Sequence, residues 1–252
     1  MANRRKTRAL VAGVVALAAA AAVTTSQLAS AAETTTVNAT IEVTGTFDGQ
    51  GGVFIGGGAL GDGGQSEGQD PLFNLADGAT LQNVTLGSPA ADGVHCAGSC
   101  TLLGVTWQDV GEDAATFRGT NATVVIDGGS ATSADDKVFQ DDRGAGGSVT
   151  IKNFKVADFG KLYRSCGNCS TQAARTANIS NITATAPGGV IAGENSNLGD
   201  KVTISNVTIS GDGAADVDIC DIFEGNDTGA EPTKISSEPD GVSCSASGIT
   251  VQ

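Results

Sequence analysis

Six short segments in the middle of the chain share one pattern and recur at nearly even intervals. They are TLQNVTL (80–86), TLLGVTW (101–107), TVVIDGG (123–129), TIKNFKV (150–156), NISNITA (178–184) and TISNVTI (203–209). Each alternates apolar and polar residues, is rich in Val, Ile and Thr, and is bounded by Gly, Asn or Asp, as short strands are. Aligned on Leu81, Leu102, Val124, Ile151, Ile179 and Ile204, they are spaced by 21, 22, 27, 28 and 25 residues. The intervals hold no convincing amphipathic helix, so strand–helix–strand units are disfavoured. Strands that recur every 20-odd residues and differ mainly in loop length read as the rungs of a solenoid.

Asparagine recurs at one place in this pattern, at Asn83, Asn153, Asn181 and Asn206, with Gly104 and Ile126 in the remaining units. In a parallel β-helix such residues can hydrogen-bond from rung to rung, as amide ladders do in stacked strands. In a β-sandwich they would be ordinary turn residues. Two-residue Asn-Gly hairpin turns are missing, which favours the helix. The expected fold is all-β, a single-stranded parallel β-helix. The two longest intervals place extra length where DDKVFQ and FGKLYR occur.

The first 31 residues are expected to be a secretory signal peptide. Arg4, Arg5, Lys6 and Arg8 precede an uncharged apolar run, Ala9 to Val23, and Ala29-Ser30-Ala31 fits a small-residue cleavage site. The run is short for a membrane span. Its removal leaves one domain, 32–252, and takes the net charge from −14 to −18. Roughly 220 residues suffice for one core. So acidic a chain repels phosphate, which disfavours nucleic acid, and no nucleic-acid partner is expected. An even set of six cysteines in an exported protein reads as disulfides. Sequence proximity favours Cys96–Cys100, Cys166–Cys169 and Cys220–Cys244, and a zinc site built from CxxxC and CxxC is the alternative.

Four stretches stand apart from the repeat: Asp92-Gly-Val-His-Cys96, Val110-Gly-Glu-Asp-Ala114, Asp135-Asp-Lys-Val-Phe-Gln140 and Phe159-Gly-Lys-Leu-Tyr-Arg164. Rungs stacked at about 4.8 Å would bring these acids and bases side by side. Asp92, Glu112 and Asp113 would form an oxygen-rich nest suited to Ca²⁺. His95 is the only histidine, which leaves little room for a catalytic triad or a His-rich metal site. It reads as packed by the disulfide. Trp107 reads as core, and Tyr163 is a candidate platform for a sugar ring.

The stretches DGVHCAGSCTLLGVTWQDVGEDAATF (92–117), DKVFQ (136–140) and DFGKLYRSCGNCSTQAAR (158–175), preceded by GQSEGQDPLFNLADGATLQNVTLG (64–87), resemble polysaccharide lyase family 3. These are the small secreted pectate lyases of bacteria and fungi. The resemblance spans roughly residues 37–252. It implies a right-handed parallel β-helix, Ca²⁺ dependence, and β-elimination of polygalacturonate, the de-esterified backbone of pectin. It also implies an extracellular location; a monomer is the expected state. Carried over residue by residue, Asp92, Glu112, Asp113 and Glu67 bind or surround calcium, and Asp136 is a further calcium-associated acid. Lys137, Lys161 and Arg164 are the cations of the cleft. Lys137 is expected to be the base, Arg164 the charge stabiliser (or the base, with the roles reversed), and Lys161 the anchor for a substrate carboxylate. One departure is Asp141-Asp142, where members often carry His-Asn after DKVFQ. Two added carboxylates there are expected to weaken substrate binding or to alter subsite preference.

Two other classes of function remain open from sequence. A glycoside hydrolase on the same scaffold would need a carboxylate pair, for which Glu112–Asp113 or Asp135–Asp136 could serve; the clustered Lys and Arg argue against it. A non-catalytic wall-binding or ice-binding solenoid would show a regular Thr array, and the Thr positions here do not keep such a register.

Overall fold

The computed structural model describes residues 33–252; the expected signal peptide lies outside them. Successive strands pair in parallel and wind into a β-solenoid of about six turns. Among the described residues the one antiparallel pairing joins Asp218–Glu224 to Thr233–Ser236 near the C-terminal end. No helix of the described residues is long and apolar enough to cross a membrane.

The expected rungs stack in register. Phe47, Leu81, Leu102, Ile126, Ile151, Ile179, Ile204 and Ala246 form one row of directly paired positions. The third rung departs from the expected alignment. Val124 lies beside Cys100, and it is Ile126 that lies beside Leu102. A shift of two residues keeps every side chain on its face, because a strand repeats every two residues. Apolar periodicity alone could not distinguish the two registers.

The corrected register explains the asparagines. The row now reads Asn83, Gly104, Gly128, Asn153, Asn181, Asn206 and Gly248, and every member has a left-handed backbone, with φ between 53° and 71°. Only Gly and Asn adopt that conformation at low cost. The amides also bond along the stack. Asn206 Nδ2 donates to Asn181 Oδ1 at 3.3 Å, Asn181 Nδ2 to Asn153 Oδ1 at 3.1 Å, and Asn153 Nδ2 to Asp127 Oδ1 at 2.7 Å. The chain of bonds stops there because Gly128 has no side chain to offer.

Inward rows of Leu, Ile and Val fill the solenoid, and an aromatic group sits at its middle. Trp107, Phe139 and Phe154 meet with ring centroids 5.2–6.4 Å apart, and Phe117 stacks on Phe139. Trp107 is fully buried, as expected of a core residue. The three disulfides are Cys96–Cys100, Cys166–Cys169 and Cys220–Cys244, and no cysteine is free. The zinc alternative is thereby removed.

A second set of stacked strands carries the distinctive residues. Asp113–Phe117, the later part of Thr123–Asp141, and Lys155–Ser165 pair so that Asp113, Lys137 and Lys161 are neighbours on consecutive rungs. Thr116, Gln140 and Arg164 are neighbours in the same way.

Candidate active site

The acids and bases of four separate sequence stretches meet at two adjoining cavities. The smaller, about 80 Å³, is lined by Glu67, Asp92, Glu112, Asp113, Thr116, Arg118, Lys137, Gln140 and Asp142. Glu112 and Asp113 come from the start of the strand Asp113–Phe117, Asp92 from the turn before Val94–Cys96, and Glu67 from a glycine-rich loop. Gln65 Nε2 ties that loop to the site by donating to the carbonyl of Gly111 at 2.8 Å.

These carboxylates are crowded and short of partners. Asp92 Oδ1 and Asp113 Oδ1 are buried and accept no hydrogen bond; the cation nearest Asp113 Oδ1 is Lys137 Nζ at 3.4 Å. Burial, reinforced by Asp92, pushes the Glu112 carboxyl up to about 7. Burial, reinforced by Glu112 and Asp92 and opposed by Lys137, pushes Asp113 up to about 9. Buried carboxylates of this kind normally coordinate a cation or give up their charge. An all-oxygen donor set with unused lone pairs suits a hard dication such as Ca²⁺, so the residues present fit that ion.

The larger cavity, about 240 Å³, gathers three cations and three carboxylates. Its walls include Asp136, Lys137, Gln140, Lys161, Arg164 and Glu231. Glu67 and Lys137 belong to both cavities. Lys137 Nζ lies 2.6 Å from Asp136 Oδ2, 3.4 Å from Asp113 Oδ1 and 3.8 Å from Glu112 Oε1. Burial alone would lower its pKa, but Asp113, Asp136 and Glu112 outweigh burial and hold the ammonium above the ordinary lysine range. The shifts on Lys137 and Asp113 compete, since a protonated Asp113 no longer holds the ammonium; the cluster titrates as a unit. Asp136 also accepts a hydrogen bond from Lys161 Nζ. It thus bridges the two lysines and does not line the acidic cavity.

Arg164 is held differently. Its guanidinium donates from Nη1 to the carbonyl of Ser165 at 2.6 Å, and from Nη1 and Nη2 to Asn195 Oδ1 at 3.1 Å each. It lies 4.1 Å from the centroid of the Phe223 ring. Among the described residues it makes no ion pair. Burial pulls its pKa below the usual arginine range, against the influence of Asp200 and other acids.

Two expectations change. Tyr163 is fully buried, and its hydroxyl donates to Asp141 Oδ2 at 2.7 Å, so it is no platform for a sugar. Asp141 is equally buried, and Arg143 clamps it through Nε at 2.9 Å and Nη2 at 2.8 Å. Its carboxylate therefore stays out of the cleft. Asp142, which Gln140 Nε2 bonds at 2.8 Å, does line the acidic cavity. Asn195 and Phe223, which hold Arg164, carry no motif. They arrive from later rungs, and only the register brings them in.

The site therefore sits on a parallel β-solenoid, where an acid-lined cavity opens beside one that holds three cations among acids. Residues 25–230 match the family model described as pectate lyase. The chain belongs to the pectate lyase family and is a lyase. It is 49% identical over 179 residues to a probable pectate lyase D of Aspergillus fumigatus, covering 70% of this chain and 71% of that protein. A probable pectate lyase E of Neosartorya fischeri is 47% identical over 201 residues, covering 78% and 75%. Among solved structures, the catalytic domain of pectate lyase PelI from Erwinia chrysanthemi superposes with a TM-score of 0.72 at 31% identity, covering 87% of this chain and all of that one. PelI in complex with tetragalacturonic acid superposes with a TM-score of 0.69 at 30% identity, covering 86% and 70%.

Proposed function

We propose that the protein is exported through residues 1–31 and cleaves polygalacturonate outside the cell by calcium-dependent β-elimination. The observation that carries this reading is the meeting of the two cavities at Lys137. A polyanion needs positive charge where it binds, and this acidic chain concentrates Lys137, Lys161 and Arg164 at one place beside a cluster of carboxylates. The PelI structure with tetragalacturonic acid supports this substrate class.

In polygalacturonate the C5 hydrogen lies alpha to a carboxylate, so its loss builds a second negative charge on that group. Asp92, Glu112, Asp113 and Glu67 would hold the calcium, with Asp136 beside them. Bound there, calcium would neutralise the substrate carboxylate and the charge that develops on it. Lys161 anchors a substrate carboxylate in the place that Asp136 now takes. Lys137, in its neutral form, accepts the C5 proton. Arg164, fixed by Asn195 and stacked on Phe223, stabilises the charge on the carboxylate. The C4–O bond then breaks, a C4–C5 double bond forms, and the departing sugar oxygen takes a proton from water.

A second reading exchanges Lys137 and Arg164. The observation in its favour is that Arg164 is buried without an ion pair, whereas Lys137 has three carboxylates within 4 Å. Those same carboxylates are the proposed calcium ligands and their neighbour, so an ion among them would relieve the hold on the Lys137 proton. This keeps Lys137 as the base.

Mass spectrometry of the cleaved polygalacturonate tests the reaction class. Elimination yields oligomers whose new non-reducing end lacks one water relative to the hydrolysis product. Oligomers carrying that water would make the protein a hydrolase.

A further inference from the structure

His95, the only histidine in the chain, lies against the acidic cavity with both ring nitrogens engaged. Its Nε2 is 2.8 Å from Asp92 Oδ2, and its Nδ1 is 3.2 Å from Arg118 Nη1. A guanidinium has donors only, so Nδ1 must accept. A doubly protonated ring would set N–H against N–H. The ring proton therefore belongs on Nε2, where it is donated to Asp92 Oδ2. The other oxygen, Asp92 Oδ1, is buried and has no partner, and Asp92 lines the cavity with Glu112 and Asp113. The imidazole thus fixes the rotation of this carboxylate and leaves one oxygen free.

We infer that His95, oriented by Arg118, is a positioning residue that presents Asp92 Oδ1 to a divalent cation. This rests on the proposal that the acidic cavity holds calcium. The chain of contacts runs from Arg118 to His95 to Asp92 and resembles the supporting hydrogen bonds that orient metal ligands in general. In the usual arrangement a carboxylate orients a histidine; here the histidine orients the carboxylate. His95 pairs with Thr116 on the next rung, so the solenoid backbone sets the distance between the ring and the Glu112–Asp113 turn.

Two measurements test the inference. Because the chain has a single histidine, ¹⁵N NMR of the wild-type protein reports its tautomer without ambiguity. The expected state is Nε2–H with Nδ1 as acceptor; an Nδ1–H ring would overturn the inference whatever the metal does. The second measurement is calorimetric titration of EDTA-stripped protein with calcium. His95→Leu should weaken calcium binding by about 10- to 100-fold, as loss of a ligand's supporting partner does. His95→Gln, whose amide can still donate to Asp92, should recover most of that loss. An unchanged affinity in His95→Leu would refute the positioning role while leaving the calcium site intact. Failure of the wild type to bind calcium would refute the calcium site itself, and the inference with it.

Discussion

At Lys137 the two cavities meet, and the state of this side chain depends on which charges face it. Truncating a proton acceptor removes a role exercised only in the transition state. Lys137→Ala should therefore cut kcat by about 10²-fold or more with little change in KM. Lys161→Ala should chiefly raise KM, because an anchor acts on bound substrate and transition state alike. Arg164→Ala should lower kcat. The rate should climb with pH above neutral, since only the neutral amine accepts a proton. Steady-state kinetics of the three variants across pH separate these roles. Loss of the alkaline limb in Arg164→Ala, with Lys137→Ala near normal, would transfer the role of base to Arg164. That Lys137, Lys161 and Arg164 come together was legible because each sits in a short charged motif on a neighbouring rung. Tyr163 and Asp141 were misplaced because the same motifs dip into the body of the solenoid. Tyr163 and Arg164 are chain neighbours, yet Tyr163 bonds Asp141 inside while Arg164 lines the cleft. His95 looked like packing, because nothing in VHC signals a partner at Arg118, 23 residues on.

The rung is the unit that turns sequence into position. Strand, turn and strand repeat, and the Asn or Gly at each left-handed turn aligns one rung with the next. Asn181 has φ 55° and bonds Asn153 and Asn206 on either side. Asn181→Ala should destabilise the fold by about 1–2 kcal/mol from the backbone conformation alone, before the two bonds are counted. Asn181→Gly should lose the bonds but keep the turn, and fall between Ala and wild type. Urea unfolding of the pair decides this; equal losses would mean that the backbone conformation contributes nothing. The rungs themselves were legible from alternation and turn residues. The register of the third was not, because Val124 and Ile126 satisfy the same period and the tie is broken by pairing with Cys100 and Leu102.

Over the whole molecule, stacking short rungs lets distant segments build one site on a rigid scaffold, and it brings Lys137, Lys161 and Arg164 together beside a cluster of carboxylates on an acidic chain. The acidic cavity has a consequence for stability. Glu112 and Asp113 rise from ordinary values of 4.5 and 3.8 to about 7 and about 9 on folding. A carboxyl with a raised pKa binds its proton more tightly in the folded state, so its contribution is greatest at low pH and is lost as pH rises through the folded value. In EDTA the melting temperature should fall between about pH 5 and pH 9, and calcium should reduce that fall because it binds the ionised form. An identical pH dependence with and without calcium would mean that these carboxylates do not hold the ion. The central claim, calcium-dependent elimination at the joined cavities, is tested most directly by the ultraviolet absorbance of unsaturated uronide during digestion of polygalacturonate. Absorbance should rise with calcium present, stop when EDTA is added, and resume when calcium is restored in excess. Shortening of the polymer without that absorbance, or an unchanged rate in EDTA, would contradict the account.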